Sequence, residues 1–538
     1  MTDTVAAAAR EVDEVPPTKH PVDEIPRLAR LFPLGLQHVL AMYAGAVAVP
    51  LIVGGALGYS AADLAFLISA DLFVAGIATI IQSVGFWRFG VRLPIMQGVT
   101  FAAVGPMISI GTTYDITAVF GATIATGLFM VLVAPFFSTL LRFFPPIVTG
   151  TVILIIGVSL MDVAAGWITS QGESAAPSDL GLAAGTLLFI VLVERFAPSA
   201  IARCSVLIGL ALGTLAALPM GKVDWSGVGD AGWFAVVTPL HFGLPTFPVA
   251  AVLSMLVVGL VIMVETTGDM IAVGEIVEKP VSTKRLADGL RADGLSTMLG
   301  GFFNTFPYTA FAQNVGLVSL TGVASRFVAT MAGLILVVLG LVPKVSAVVE
   351  GVPSAVLGGA GIALFGMVAA SGIRSLSKVR FDNKNILVVA VALGVAMLPT
   401  VKPEIYAEFP TWFQLVFDSG ISAGAIAAIL LNLLLNGDQL KGVQDTQDVA
   451  PHDALRAVQP AVLTYDAATG TGGTVEVSAP AATTGTDAVA VGSEPEPLAS
   501  PEPPVSSEPA VSSDPAATPD PVTPSDPVGD DDAPTGRS

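Results

Sequence analysis

The sequence predicts an all-α polytopic membrane protein of fourteen spans, and three observations carry that prediction. Of its 538 residues 53% are hydrophobic and only 12% charged, against roughly 25% charged in a soluble domain. Long apolar runs recur, as from Val249 to Val264 and beyond and from Phe327 to Val342, near the about 20 residues that a bilayer-crossing helix needs. The basic residues fall almost entirely on alternate loops, as a chain crossing back and forth requires.

In order, the first half places spans near 33–53, 61–83, 94–111, 117–141, 146–166, 181–198 and 199–218. A broad loop from Pro219 to Pro248 follows. The second half places spans near 249–272, 284–301, 304–322, 325–343, 353–372, 384–400 and 411–434. With both termini in the cytoplasm, the inside loops hold Arg88, Arg92, Arg142, Arg195, Arg203, Lys279, Lys284, Arg285, Arg291, Arg326, Arg374, Lys378, Arg380 and Lys384, while the outside loops hold only Lys222, Lys344 and Lys402. That asymmetry follows the positive-inside rule and supports an even number of spans.

The ends differ in kind from the middle. Residues 1–30 form a cytoplasmic N-terminal tail whose Glu11, Asp13, Glu14, Asp23 and Glu24 accompany no apolar core, so the segment does not read as a cleaved signal peptide. Residues 31–436 form the membrane domain. Residues 437–538 hold seventeen acids against Lys441, Arg456 and Arg537, so the tail carries −14 of the net −19 and leaves −5 for the rest. Rich in Pro, Ala and Ser, it cannot offset its ordering entropy by burial and is expected to be a disordered cytoplasmic tail, a solvated tether or a partner-binding segment. Cys204 is the sole cysteine, which excludes an intramolecular disulfide and a cysteine metal cluster.

The two halves share a pattern. The third segment, LPIMQGVTFAAVGPMISIG, and the tenth, TFPYTAFAQNVGLVSLTG, are both short, with an early Pro, then polar residues, then an apolar half-helix. Pro94 and Pro307 lie 213 residues apart, and Pro146 and Pro353, which open the fifth and twelfth spans, lie 207 apart. Seven spans per half makes the repeats inverted, about 31–218 and 249–436. Interrupted segments at matching places in inverted repeats point to a transporter's binding site, because non-helical backbone at membrane depth must find partners in protein or line a cavity. We expect the two stretches to pair as short membrane-embedded strands, with their half-helix N-termini presenting free N–H groups to a ligand. A Pro-kinked helix packed against its neighbours is the alternative.

Candidate functional groups are few. Glu265 and Asp269, in VETTGDM, stand four apart on one face of a predicted span, and ionisable residues at depth mark substrate or ion routes. His38, beside Gln37, is the only histidine within a predicted span; it reads equally as a packing hydrogen-bond partner or a functional group. Asp293, in RADGLST, is a site group, a helix-end cap or an interface residue. Asp71, Asp162 and Asp418 have nothing around them in sequence that suggests a constellation.

Several of these strings together resemble the nucleobase-ascorbate transporter family. QNVGLVSLTG from Gln313 to Gly322 fits its polar-N-x-G-x-x-x-x-T signature, and Gln37–His38, ETTGD at 265–269 and ADGLSTMLGGFFNTFPYTAFAQN at 292–314 occur in the family's order. The resemblance spans roughly 30–436. It implies a proton-coupled nucleobase symporter of the plasma membrane with a core domain (spans 1–4 and 8–11), a gate domain (spans 5–7 and 12–14) and a homodimeric assembly. It further implies that Glu265 holds the base, Gln313 supplies a second polar contact, Phe101 lies against the ring and Ala312 offers its backbone N–H, with His38, Asp269, Asp293 and Asn314 in proton coupling or support. Gln313 and TGVASR at 321–326 resemble the urate and xanthine branch, whereas uracil permeases carry Glu at the position of Gln313. Val315, where many xanthine transporters show Asn, places urate slightly ahead. The implied partners are a small-molecule nucleobase, protons, the lipid bilayer and a second copy of the chain, with no nucleic acid, cofactor or metal. The competing readings are a uracil permease and an anion transporter or channel on the same seven-plus-seven fold. A membrane enzyme fits least, since no nucleophile with a paired base stands out.

Overall fold

The computed structural model describes residues 20–442 apart from 171 and 173. The chain divides into Met1–Leu463 and Thr464–Ser538, and the second unit, like the expected tails before residue 20 and after 442, lies outside the described residues. The described part is mostly helical: α1 (Leu28–Ala56), α2 (Ala61–Val84), β1 (Gln97–Val99), α3 (Val104–Thr113), α4 (Ile116–Val133), α5 (Pro146–Ser159), α6 (Met161–Ile168), α7 (Pro177–Phe196), α8 (Ser205–Ala217), α9 (Val249–Ile276), α10 (Thr283–Phe302), β2 (Tyr308–Ala310), α11 (Ala312–Thr321), α12 (Arg326–Gly340), α13 (Pro343–Glu350), α14 (Ser354–Leu376), α15 (Asn383–Val401), α16 (Thr411–Phe417) and α17 (Gly420–Gly442), with short helical turns between them. The final helix continues past Gly437, where the tail was expected to begin.

Local chemistry sets the ends of these elements. Ser60 accepts from the Asp63 N–H to start α2, and Gly85, at φ +69°, ends it by donating its N–H to Ile81; a residue without a Cβ takes that conformation at no steric cost. Asp115 and Asp382 cap α4 and α15 in the same way. The segment expected as one span over 325–343 is followed by a bend of 80° between α12 and α13. Pro343 causes it, because a residue lacking an N–H suits the first turn of a new helix and not the interior of an old one.

Among the described residues eight helices are long and apolar enough to cross a membrane, or nine if α12 and α13 count as one span. The third and tenth predicted segments, 94–111 and 304–322, are each a three-residue strand followed by a ten-residue helix. The strands pair antiparallel, with Gln97 opposite Ala310, Gly98 opposite Thr309 and Val99 opposite Tyr308. Two further bonds extend the ribbon, Thr100 N to Pro307 O at 2.9 Å and Phe311 N to Met96 O at 3.0 Å.

Helices from the first and second halves interlock. α2 packs along α12, α4 along α10 and α5 along α14, while α7 lies against α8 and α15 against α17. Glycines permit the closest crossings. A Cβ on Gly127 would stand 2.5 Å from Gly294 O, and one on Gly294 would stand 2.7 Å from Gly127 O; the α2–α12 crossing repeats the arrangement with Gly76 and Gly333. Small residues of this kind let membrane helices approach backbone to backbone. Elsewhere large apolar side chains face outward, Leu188, Val191 and Phe196 on α7 and Ile386, Leu387 and Leu398 on α15, as a surface in contact with lipid requires.

At one end of the bundle the segment before α1 is tied down. Val22 is wholly buried, Asp23 pairs with Lys279 at 2.5 Å and Arg326 at 2.9 Å, and Ser325 Oγ donates to Glu24 O at 2.6 Å.

Candidate functional site

The ribbon fixes the site. A strand's side chains alternate between its two faces, so Thr309 points one way while Tyr308 and Ala310 point the other. Thr309 Oγ1 lies 3.5 Å from Glu265 Oε2 and 3.1 Å from Thr266 Oγ1, and Thr266 Oγ1 also accepts from Ala310 N at 3.1 Å. Helix α9 packs on both β2 and α11. Glu265 therefore stands at the turn where strand becomes half-helix.

That turn is open. Ala312, the first residue of α11, is exposed within the bundle, and Gln313 is half-buried. The Gln313 amide makes no hydrogen bond to any described residue, so its donor and acceptor both remain for a ligand. The helix N-terminus adds N–H groups that lack intrahelical partners. Phe101, half-buried two residues after β1, lies edge-on to Phe365 of α14 with centroids 5.8 Å apart.

The next residue, Asn314, is 1% exposed and reaches α1, where its Nδ2 lies 3.0 Å from His38 Nδ1 and 3.1 Å from His38 O. Because a carbonyl can only accept, the amide nitrogen must face His38, and the ring's Nδ1 is then the acceptor with its proton on Nε2. His38 thus orients the half-helix from behind rather than facing the opening.

The acids gather on the same side. Asp269 is one turn beyond Glu265 and within electrostatic reach of both Glu265 and Asp293; its Oδ2 has no hydrogen-bond partner among the described residues. Asp293, fully buried on α10, accepts from Gln82 Nε2 at 2.8 Å through Oδ1 and sits beside Thr266 and Gln97. Gln82 in turn takes Val91 N at 2.9 Å, and Thr79 Oγ1 accepts from Gln97 N at 2.9 Å. Asp293 is therefore no helix-end cap; it ties α10 to α2. No group of three or more His, Cys, Asp or Glu among the described residues is arranged to hold a metal ion.

Phe311 shapes the approach to Ala312. Its ring lies over Gly98 and beside Gly45: a Cβ on Gly45 would stand 2.9 Å from Phe311 Cε1, and one on Gly98 would stand 2.8 Å from Cδ2 and 2.9 Å from Cζ. Ordinary carbon contacts need about 3.5–4.0 Å. Both positions must lack a side chain for the ring to occupy this place.

The structure thus brings Glu265, Asp269, Asp293, Ala312, Gln313 and Phe101 around the ribbon and gives Asn314 and His38 to its support. Sequence reasoning missed Gln82, Thr79, Gln97, Thr266 and Thr309, although two glutamines within or beside apolar spans were the available signal. It also set aside Asp71, which the structure places against Tyr308 behind β2.

Comparison with solved structures places the fold. The transmembrane domain of a cyanobacterial bicarbonate transporter, BicA, shares the fold at a TM-score of 0.53 and 15% identity, over 76% of this chain and 99% of that one. Murine Solute Carrier 26 family member A9, an anion transporter in the inward-facing state, gives 0.52 at 12% identity, over 81% and 75%. The chain shares its membrane-spanning helical fold with both.

The family follows from sequence. The Permease family model matches residues 29–405, and the chain belongs to the nucleobase-ascorbate transporter family. It is 45% identical to the uric acid transporter UacT of Escherichia coli K12, over 78% of this chain and 89% of that protein. It is 46% identical to the nucleobase transporter PlUacP of Paenibacillus larvae, over 76% and 95%, and 44% identical to the xanthine permease of Bacillus subtilis, over 78% and 96%. These relatives are transporters or permeases by name, and the enzyme reading falls away.

Proposed function

We propose that this protein imports an oxidised purine nucleobase, urate or xanthine, by proton symport with alternating access. The observation that carries the reading is Glu265 held at Thr309 of the buried ribbon, three residues before the exposed Ala312 and the half-buried Gln313. An oxidised purine presents imide N–H and C=O groups on a flat ring. Glu265 accepts from ring N–H groups, the free Gln313 amide donates to a ring carbonyl and accepts from a ring N–H, and Phe101 covers the apolar face. The names of the relatives, uric acid transporter and xanthine permease, support the same substrate class.

The fourteen-span, inverted-repeat architecture is part of this proposal. Under that numbering the α2–α12 crossing joins spans 2 and 11, and the α4–α10 crossing joins spans 4 and 9, which is the same pair seen through the repeat symmetry. Both crossings use facing glycines. The core then comprises α1–α4 with α9–α12, and the gate α5–α8 with α14–α17. Substrate at the ribbon alternates between sides as these bodies move, in a homodimer in the plasma membrane with both termini cytoplasmic.

Anion transport is the second reading, favoured by the two fold relatives. Three carboxylates beside the ribbon argue against it, since an anion site is better served by a cation there. The test is uptake of labelled urate into cells or vesicles, with and without a protonophore, and with xanthine, hypoxanthine, guanine and uracil as competitors. Accumulation abolished by the protonophore and blocked by xanthine supports the proposal. Uptake insensitive to purines and driven by an anion gradient refutes it.

A further inference from the structure

Behind the ribbon, on the face away from Glu265, lies a second polar cluster that the transport reading does not use. Asp71, at the middle of α2, is fully buried. Its Oδ1 accepts from the Tyr308 hydroxyl at 2.8 Å and from Thr305 Oγ1 at 3.2 Å, and the phenol also lies 3.1 Å from the Asp71 carbonyl. Its Oδ2 has no hydrogen-bond partner, and no ion pair among the described residues includes it. Tyr308, one of the largest fully buried side chains in the protein, is held a second time through its backbone, where its N–H donates to Thr297 Oγ1 at 3.1 Å.

A buried carboxyl with no cation beside it is costly and persists only where the surroundings need it. Here its surroundings are the first residue of β2. Tyr308 and Thr309 are neighbours on opposite faces of a three-residue strand, so the depth at which the Tyr308 ring sits against α2 sets how far Thr309 projects toward Glu265 and where Ala312 and Gln313 begin. Three residues pair across the ribbon, with one backbone bond beyond each end, and the side chain of Asp71 adds a hold from the opposite face.

We propose that Asp71 is a positioning residue for substrate recognition: it fixes β2 from behind through the Tyr308 and Thr305 hydroxyls, and so sets the distance between Glu265 and the Ala312–Gln313 turn. This deepens the nucleobase-transport reading and rests on it. The role needs an acceptor at Oδ1 and no charge. Asparagine at 71 keeps that acceptor; alanine does not. In Tyr308→Phe the donor is lost instead, and the strand is left with the weaker Thr305 bond.

The experiment is initial-rate uptake of labelled urate by the full chain in vesicles, at equal surface abundance, for the wild type, Asp71→Asn, Asp71→Ala, Tyr308→Phe and the Asp71→Ala/Tyr308→Phe double variant. Loss of the buried hydrogen bonds from Tyr308 and Thr305 in Asp71→Ala, and of the phenol donor in Tyr308→Phe, predicts KM raised about 5- to 30-fold in each, with maximal rate kept. The double variant should be no worse than the poorer single one, and Asp71→Asn should lie within about threefold of wild type. Unchanged KM in Asp71→Ala, strictly additive effects, or Asp71→Asn as damaged as Asp71→Ala would each overturn the proposal. A fall in maximal rate or surface amount with KM intact would also overturn it, since that is what a purely structural contact produces. Wild-type vesicles that take up no urate at all would instead refute the function on which it rests.

Discussion

Gly98→Ala is a one-methyl perturbation whose effect can be worked from the ribbon. The added Cβ would stand 2.8 Å from Phe311 Cδ2 and 2.9 Å from Cζ, with Cε2 nearer still, against an ordinary contact of about 3.5–4.0 Å. The ring must withdraw by about 1.5 Å. It cannot swing toward Gly45, where a Cβ-sized space is already filled by Cε1, so the displacement passes along the chain to Ala312 and Gln313. Overpacking of this kind costs about 1–3 kcal/mol, which spent on the substrate-bound geometry is roughly 5- to 150-fold in affinity. Competition of labelled urate uptake by unlabelled urate, at equal surface abundance, measures it. Phe311→Leu in the same chain removes the clashing ring and should recover at least half of the loss in free-energy terms. Wild-type affinity in Gly98→Ala, or no recovery in the double variant, would refute the claim that the ring transmits the strain.

Three further outcomes are expected. Gln313→Glu leaves one substrate carbonyl facing an acceptor-only group, so urate and xanthine affinity should fall about 5- to 150-fold by competition at fixed pH, while the amount of folded protein is unchanged. Glu265→Gln should abolish protonophore-sensitive accumulation while leaving the protein in the membrane, read by uptake against a gradient. For Asp23, partial burial pushes its carboxyl up, but the hydrogen bonds and charges of Lys279 and Arg326 outweigh it and hold the group below the usual carboxylate range. A depressed carboxyl contributes stability above its unfolded pKa and loses it as pH falls through the folded value. Asp23→Asn should therefore lower thermal stability at neutral pH, by about 1 kcal/mol at most for so exposed a pair, and the deficit should vanish in acid, as melting curves at several pH values would record.

What the sequence made legible was local. The shared pattern around Pro94 and Pro307 located the strand and half-helix segments, and carboxylates inside apolar runs marked Glu265, Asp269 and Asp293. Periodicity within a window cannot report a partner far along the chain, and most of this site's supports are of that kind. Gln82 meets Asp293 across 211 residues and Asn314 meets His38 across 276. Asp71 looked isolated because its partner Tyr308 is 237 residues away. The 80° bend after α12 was missed for a different reason: Pro343 was read as the end of a span, whereas its fixed backbone opens a new helix.

The interlocking of the two halves has a consequence for how the protein is made. The crossing that joins Gly76 to Gly333 cannot form until about 257 further residues have been synthesised, which at about 5–20 residues per second takes on the order of 10–50 s. Throughout that interval α2 stands in the bilayer with Asp71 and Gln82 still lacking Tyr308 and Asp293, each unsatisfied group costing several kcal/mol in hydrocarbon. The first half of the chain therefore does not complete its own polar contacts. Asp71 and Gln82 wait for the second half of the chain to supply their polar partners.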